Sequence, residues 1–249
     1  MKPNAHVVKV LAFDVFGTTV DWHGSIVREG AVWSCEKKLD IDWSQFAERW
    51  RAGYQPTLER VRRGELPWMK LDEIHRGILD EVLVEFKVTG LSDEEKDQWN
   101  GVWHRLAPWP DAIEGLVRLK KHFIIATLSN GNVSLLVDIA KYASLPWDAI
   151  ISSELFRRYK PDAANYLGAA DLLGCEPDDL MMVAAHPSDL KAARECGLKT
   201  AFVRRPLEHG AQPAGTASVS AAPGAASDPS APAWDVTAAD FIDLAAQLS

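Results

Sequence analysis

The sequence has little cysteine, no excess of basic residues and no long hydrophobic run. Its three cysteines are too scattered for a disulfide framework or a CxxC metal site, which fits thiols in a reducing cytoplasm. Acidic residues outnumber Lys and Arg by 35 to 27, and the formal net charge of −8 argues against a nucleic acid partner. No apolar run approaches the roughly 18–20 residues of a membrane span. We therefore expect a cytoplasmic protein with no membrane and no nucleic acid partner.

Five short apolar runs predict the strands of a parallel sheet. They are rich in Val, Ile, Leu and Phe without strict alternation, as is typical of strands buried on both faces. The runs are residues 7–13, 123–128, 149–152, 180–185 and 200–203. Helical segments separate the last four runs, and two of these segments are predicted to end at Gly174 and Gly197. This alternation predicts an α/β fold with a doubly wound parallel sheet.

The first and second predicted strands are separated by more residues than one crossover requires. Most of this stretch has a helical pattern. A capping box at 92–95 predicts a helix that runs toward residue 105. An amphipathic helix is predicted from residues that recur every three to four positions, namely Trp43, Phe46, Trp50, Tyr54 and Leu58. We predict a helical cap at 20–107, inserted into a core formed by 1–19 and 108–249.

The C-terminal part of the core contains a segment of unusual composition. Residues 206–233 are dominated by Ala, Pro, Gly and Ser from position 208 onward, and they include few residues that could form a core. We predict a low-complexity surface loop there. A helical pattern resumes at 234–248 and is predicted to pack on the core.

Polar side chains follow four of the predicted strands. In an open parallel sheet, ligands bind at the carboxyl ends of the strands. Each of these residues alone has a simpler interpretation as a turn, cap or solvated residue. Together they predict one active site. In chain order they are Asp14, Thr18, Ser129, Asn130, Lys160, His186 and Asp189.

Four segments in this order, FDVFGTTVD, TLSNGN, YKPD and AAHPSD, resemble the motifs of the haloacid dehalogenase superfamily. The cap segment WRAGYQPTLERVRRGELPW is similar to the type II 2-haloacid dehalogenases. The resemblance covers nearly the whole chain outside the low-complexity segment. It implies a helical cap on an α/β core and a hydrolase that acts on carbon–halide bonds.

The position of Phe16 separates a dehalogenase from a phosphatase of the same superfamily. Such phosphatases carry Asp-x-Asp where this chain has Asp14-Val15-Phe16, and they use a further acid beside the one that Asp189 supplies. Mg²⁺ prefers carboxylate oxygens, so its expected ligand set is incomplete here. We expect a dehalogenase without metal or cofactor. A Mg²⁺-dependent small-molecule phosphatase is the alternative hypothesis, and a non-enzymatic binding module is the third.

The resemblance implies a covalent mechanism. Asp14 would attack C2 of an L-2-haloacid or haloacetate, release halide with inversion and form an ester that water hydrolyses to the 2-hydroxyacid. Lys160 would keep Asp14 ionised, and Asp189 would orient Lys160 and help to activate the water. Thr18 and Ser129 would hydrogen-bond the aspartate or the substrate carboxylate.

The resemblance also implies the residues that bind substrate and halide. Arg51 and Asn130 would hold the halide, although Arg51 has a simpler interpretation as one of several charges on a solvated helix face. Phe16 and Tyr166 would line the site. His186 stands where the best-known type II enzymes have Asn, and its role is open between orienting water or substrate and bonding its own loop. A homodimer is common among the proteins that the chain resembles.

Overall fold

The central sheet has six strands, and every neighbouring pair is parallel. The computed structural model describes residues 8–210 and 234–248. In chain order the strands are β1 (Val10–Phe13), β4 (Ile124–Ser129), β5 (Ala149–Ser152), β6 (Leu180–Ala184), β7 (Lys199–Val203) and β8 (Val236–Ala238). Across the sheet their order is β5-β4-β1-β6-β7-β8. Since β1 lies between β4 and β6, the strand order reverses beside it, which is where open α/β sheets bind ligands.

Helices cover both faces of this sheet, as the prediction of a doubly wound fold requires. They are α6 (Ala112–Leu119), α7 (Val133–Tyr142), α8 (Ala163–Leu172), α9 (Pro187–Glu195) and α10 (Phe241–Leu248). Alternate residues of a strand point to opposite faces. Leu11 and Phe13 therefore belong to one buried cluster with α6, α7 and α10, whereas Val10 and Ala12 belong to another with α8 and α9.

A helical cap follows β1. Its helices are α1 (Trp22–Lys37), α2 (Trp43–Ala52), α3 (Tyr54–Arg62), α4 (Leu71–Glu85) and α5 (Asp93–Asn100), and a 3-10 turn at Gly101–Arg105 ends it. At the base of the cap, β2 (Val20–Asp21) pairs antiparallel with β3 (Ala107–Pro108). These two short strands join the outgoing and returning chain, and they support our proposal that the cap spans 20–107.

The prediction of one helix through 43–58 is wrong, because the chain forms α2 and α3 with a break at Gly53. The five predicted core residues of this stretch are nevertheless all buried. A Cβ atom at Gly53 would lie 2.6 Å from Ile78 Cγ2, so the backbone at the break packs closely against α4. The capping box is confirmed, since the Ser92 hydroxyl accepts from Glu95 N at 3.3 Å and Glu95 Oε2 accepts from Ser92 N at 2.8 Å.

The C-terminal prediction needs two corrections. The segment 234–248 is not helical throughout, because β8 pairs with β7 before α10 begins at Phe241. The predicted surface loop is wrong at its start, since Glu208 is buried. Residues 211–233 of that loop lie outside the described residues. None of the helices within 8–210 and 234–248 is long and apolar enough to cross a bilayer.

Candidate active site

Asp14 lies immediately after β1, at the carboxyl edge of the sheet. Its backbone N–H donates to Val183 O at 3.0 Å, which holds the residue against β6. Its carboxylate is buried and accepts three hydrogen bonds. Oδ1 accepts from Lys160 Nζ at 3.0 Å, while Oδ2 accepts from Thr18 Oγ1 at 2.8 Å and from His186 Nδ1 at 3.1 Å. Three of the predicted residues thus converge on one carboxylate.

Burial alone would raise the pKa of the Asp14 carboxyl. The charge of Lys160 and the hydrogen bonds from His186 and Thr18 outweigh burial and hold this pKa well below its usual range. Asp14 is therefore an ionised carboxylate at neutral pH.

Lys160 joins the two acidic residues of the site. Its buried ammonium group donates to Asp14 Oδ1 at 3.0 Å, to Leu128 O at 2.9 Å and to Asp189 Oδ2 at 2.5 Å, which uses all three N–H donors. Burial would lower the pKa of Lys160, but the two carboxylates outweigh burial and raise it. Asp189 also accepts from the hydroxyl of Tyr166 at 2.6 Å. Lys160 is thus a permanent cation with a fixed position.

His186 bridges Asp14 and a residue that the sequence interpretation missed, Glu208. Its Nε2 lies 2.9 Å from Glu208 Oε1 and its Nδ1 lies 3.1 Å from Asp14 Oδ2. Burial would lower the pKa of His186, but the two carboxylates outweigh it and raise the pKa to about 10. At neutral pH the ring is an imidazolium that donates to both acids.

Two features bring Glu208 to this position. Arg205 forms two hydrogen bonds with the carboxylate of Asp111, at 2.7 and 2.8 Å, and its Nε donates to Thr18 O at 2.8 Å, so the loop after β7 is tied to the core. Gly17 has a φ of +82°, and a Cβ atom there would lie 2.0 Å from Glu208 Oε1. Glycine both adopts this backbone conformation and leaves room for the carboxylate.

A cavity of about 440 Å³ opens between the core and the cap. Eight of the ten predicted site residues line it, and the other two, Thr18 and Ser129, are fully buried behind it. Thr18 still contacts Asp14, whereas the Ser129 hydroxyl accepts from Gly131 N at 3.3 Å. The residues that line the cavity are Asp14, Phe16, Arg51, Tyr54, Gln55, Arg62, Asn130, Lys160, Pro161, Tyr166, His186, Ser188 and Asp189.

The cap contributes Arg51, which faces the cavity from α2. Its guanidinium carbon lies 4.3 Å from the ring centroid of Tyr54 and 5.6 Å from that of Trp22. Arg51 Nη1 is buried and has no hydrogen-bond partner among the described residues. Asn130, the predicted second halide ligand, donates to the Tyr54 hydroxyl at 2.9 Å and accepts from Lys160 N at 2.8 Å. Its amide therefore links the cap to the lysine loop.

Within residues 8–210 and 234–248, no group of three or more His, Cys, Asp or Glu side chains is arranged to hold a metal ion. The ammonium group of Lys160 lies between Asp14 and Asp189, where a cation that bridges the two carboxylates would have to bind. The positive charge that this site needs is therefore supplied by the chain itself. The expectation that no metal is required stays a prediction.

An ionised aspartate at the end of the first strand, a lysine beside it and a helical cap over it suit a hydrolase that uses a carboxylate nucleophile. Residues 8–197 match the haloacid dehalogenase-like hydrolase family. The chain belongs to this family.

Individual relatives narrow the comparison. The chain is 29% identical to (S)-2-haloacid dehalogenase 4A of Burkholderia cepacia over 204 residues, which cover 80% of this chain and 84% of the relative. The solved structure of a defluorinating L-2-haloacid dehalogenase is 44% identical, with a TM-score of 0.88 over 97% of this chain and 95% of the other. That of another L-2-haloacid dehalogenase is 42% identical, with a TM-score of 0.85 and coverage of 97% and 98%.

Proposed function

We propose that the protein hydrolyses short L-2-haloacids and haloacetates to 2-hydroxyacids and halide through an ester on Asp14, with inversion at C2. One observation carries the proposal: Asp14, with its buried, ionised carboxylate, and Arg51, with its cationic guanidinium, line the same cavity. The core therefore supplies the nucleophile and the cap supplies the leaving-group site. The (S)-2-haloacid dehalogenases among the relatives support this reaction class.

In the first step, one oxygen of Asp14 attacks C2 of the substrate. Oδ2 already accepts two hydrogen bonds and Oδ1 accepts one, so Oδ1 retains a free lone pair and is the attacking atom. The new bond joins Oδ1 to C2, and the electron pair of the carbon–halogen bond leaves with the halide. The substrate is itself an anion, so Lys160 and Arg51 must offset the repulsion between the two carboxylates.

In the second step, water attacks the carbonyl carbon of the Asp14 ester. Esterification removes the negative charge of Asp14, which is one of the two charges that hold the proton on His186. The pKa of His186 therefore falls, so the imidazolium can release its proton to solvent. Neutral His186 then accepts a proton from the attacking water, Glu208 stabilises the imidazolium that forms, and this proton passes to the alkoxide oxygen of the departing 2-hydroxyacid. In this order of steps, His186 activates the water and Glu208 is its positioning residue.

A phosphatase reaction is not favoured. Phe16 replaces the acid that would protonate a leaving alcohol, and its ring is buried edge-on against Trp103. A departing halide needs no proton, so the apolar residue at this position agrees with a carbon–halogen substrate. The homodimer and the cytoplasmic location expected from the sequence stay predictions.

The function is tested by halide release from L- and D-2-chloropropionate and from chloroacetate, with and without EDTA, beside a phosphate ester supplied with Mg²⁺. We expect chloride from chloroacetate and from the L isomer, unchanged by EDTA, and no phosphate release. Chelation that abolishes the activity, with Mg²⁺ restoring it, would contradict the metal-free proposal, and phosphate release without halide release would support the phosphatase alternative.

The covalent step is tested separately. Asp14→Asn should reduce halide release to background, because an amide oxygen is a far weaker nucleophile than a carboxylate. A single turnover of the wild-type enzyme in ¹⁸O-water should place the label in Asp14, detected by peptide mass spectrometry. Label that appears first in the hydroxyacid would mean that water attacks C2 directly.

A further inference from the structure

The indole of Trp22 is buried where the cap meets the core. Trp22 is the first residue of α1, directly after β2, and its side chain is fully buried. The carboxylate of Asp21 accepts from Gly24 N at 2.7 Å and caps this end of the helix. Since β2 is itself paired with β3, the backbone of Trp22 has a fixed place at the base of the cap.

The polar atom of this side chain contacts the catalytic site through Glu208. Trp22 Nε1 donates to Glu208 Oε1 at 3.3 Å, and the same oxygen accepts from His186 Nε2 at 2.9 Å. An indole N–H can only donate, so it complements an ionised carboxylate. One oxygen of Glu208 is therefore shared by a residue of the cap and a residue of the core.

Aromatic contacts hold the indole in this orientation. Its ring stacks on that of Trp103, with centroids 6.4 Å apart, and the ring of His209 packs edge-on against it at 5.5 Å. Close packing of this kind restricts a buried side chain to one rotamer. The N–H group of Trp22 is therefore fixed in position before the reaction begins.

Glu208 must be ionised to stabilise an imidazolium. Burial would raise the pKa of its carboxyl, but His186, the charge of Arg51 and the N–H group of Trp22 outweigh burial and lower this pKa. Within the described part of the chain, His186 and Trp22 are the side chains that donate hydrogen bonds to the carboxylate. Without the indole N–H, only His186 would orient Glu208.

We propose that Trp22 is a positioning residue of the hydrolytic step: it holds Glu208 against His186 and makes water activation depend on contact between cap and core. This inference rests on the proposed ester mechanism. Trp22 is not among the described residues that line the cavity, so it acts through Glu208.

The two chemical steps differ in their need for this contact. During hydrolysis, His186 accepts a proton from water and becomes an imidazolium, which an oriented Glu208 stabilises. During ester formation the electron pair of the carbon–halogen bond leaves with the halide and no proton is transferred. Loss of the indole N–H should therefore slow the second step more than the first.

The test measures two rate constants in Trp22→Phe with L-2-chloropropionate. The burst of chloride gives ester formation, and the decay of the acylated protein mass in a single turnover gives ester hydrolysis. Phenylalanine keeps an aromatic ring but removes the N–H group. We expect hydrolysis to slow about tenfold, as for the loss of a hydrogen bond to a charged group, and ester formation to stay within about twofold.

Steady-state kinetics give a second readout. Slower hydrolysis lowers kcat and KM together and leaves kcat/KM, which reports ester formation, unchanged. A merely structural defect would lower kcat and kcat/KM alike.

Trp103→Phe is the matched control. Trp103 is a buried cap residue that stacks on Trp22, and its Nε1 has no hydrogen-bond partner among the described residues. This variant should leave both rate constants within about twofold of wild type. Trp22→3-benzothienylalanine, in which sulfur replaces the N–H group in a ring of similar shape, should behave like Trp22→Phe and takes its place if that variant does not fold.

A double-mutant cycle tests whether Trp22 acts through Glu208. In Glu208→Ala the indole has lost its acceptor, so adding Trp22→Phe should slow hydrolysis by less than about twofold. Equal slowing of both steps in Trp22→Phe, hydrolysis at the wild-type rate, or a full tenfold loss in the Glu208→Ala background would overturn the inference. Halide release without an ester on Asp14 would overturn the mechanism together with this inference, whereas release of no halide by the wild-type enzyme would contradict the proposed function itself.

Discussion

Two arginines on α2 differ in their surroundings although they are two positions apart. Arg49 is exposed and forms a two-pronged ion pair with Glu85, with nitrogen–oxygen distances of 2.8 and 2.9 Å. Arg51 points into the cavity, where its buried Nη1 has no partner within the described ranges. A helix repeats every 3.6 residues, so positions two apart lie on nearly opposite sides. The sequence alone could not decide which arginine faces the site without the family resemblance.

Replacing Arg51 with Ala should lower kcat for chloride release by about 10–100-fold, with a smaller effect on KM. A charge-assisted hydrogen bond contributes about 1.5–3 kcal/mol, and the halogen becomes an anion only as it leaves. Arg49→Ala is the control and should stay within about twofold of wild type, since exposed ion pairs contribute little. Steady-state chloride release measures both. Equal, small effects of the two substitutions would assign the leaving group to other residues.

Glu208→Gln should slow hydrolysis of the Asp14 ester more than its formation. The amide keeps a hydrogen-bonding atom beside His186 but removes the charge that stabilises the imidazolium. We expect a burst of halide followed by a slow steady state, and an intact-protein mass that includes the acyl group of the substrate. Glu48→Gln is the control, because Glu48 pairs with His209 outside the cavity. A variant without burst or adduct would place Glu208 outside the hydrolytic step.

Glu208 also illustrates what the sequence could not reveal about the site. Asp14, Lys160 and Asp189 follow strands, so the topology of a parallel sheet was sufficient to bring them together. Glu208 follows β7 in a stretch whose composition resembles a flexible loop, and the ion pair between Arg205 and Asp111 ties this stretch to the core. No local pattern encodes a contact that spans 94 positions of the chain.

At the level of elements, two glycines in cap helices have opposite environments. A Cβ atom at Gly30 in α1 would lie 2.1 Å from the ring of Trp43, whereas nothing lies within 4 Å of a Cβ at Gly77 in α4. The first glycine permits the close contact of α1 with α2. The second has no such packing role and only lowers the stability of its helix.

Gly30→Ala should therefore destabilise the protein by about 1–3 kcal/mol through overpacking against Trp43. Gly77→Ala should stabilise it by about 0.5–1 kcal/mol, because alanine loses less backbone entropy in a helix. Urea unfolding followed by tryptophan fluorescence measures both changes. Changes of the same sign in the two variants would contradict this account of the packing between α1 and α2.

The elements that sequence reasoning missed are short or bent. Strand β8 has three residues at the edge of the sheet, and its apolar pattern merges with that of α10. Over so few residues, periodicity cannot distinguish a strand from a helix. The break at Gly53 is likewise invisible in the apolar spacing, because α2 and α3 continue to bury the same side of the chain. Strands β1 and β6 were predicted because each is an apolar run that is buried on both faces.

For the molecule as a whole, cap and core enclose a cationic site in an acidic protein. The formal net charge is −8, yet four cations line the cavity against two carboxylates. The cations are Arg51, Arg62, Lys160 and the imidazolium of His186, and the carboxylates are Asp14 and Asp189. Hydrogen bonds close the interface between the two parts, from Asn130 to the Tyr54 hydroxyl at 2.9 Å and from the Tyr159 hydroxyl to Met69 O at 2.6 Å. An anionic substrate is therefore attracted by the local charge of the cavity despite the overall charge.

The same arrangement makes folding stability depend on pH through His186. Its pKa is about 10 in the folded protein and about 6.5 when unfolded, so the folded state binds the additional proton between these values. Its contribution to stability is complete below pH 6.5 and is lost as the pH rises toward 10, with a slope of up to about 1.4 kcal/mol per pH unit.

His186→Asn lacks this proton, so its urea midpoint should approach that of the wild type, or exceed it, as the pH increases from 6 to 10. The difference between the two curves of midpoint against pH cancels the contributions of the lysines and tyrosines, because these groups titrate in both proteins. A difference between the curves that does not change with pH would mean that His186 is not held as an imidazolium between Asp14 and Glu208.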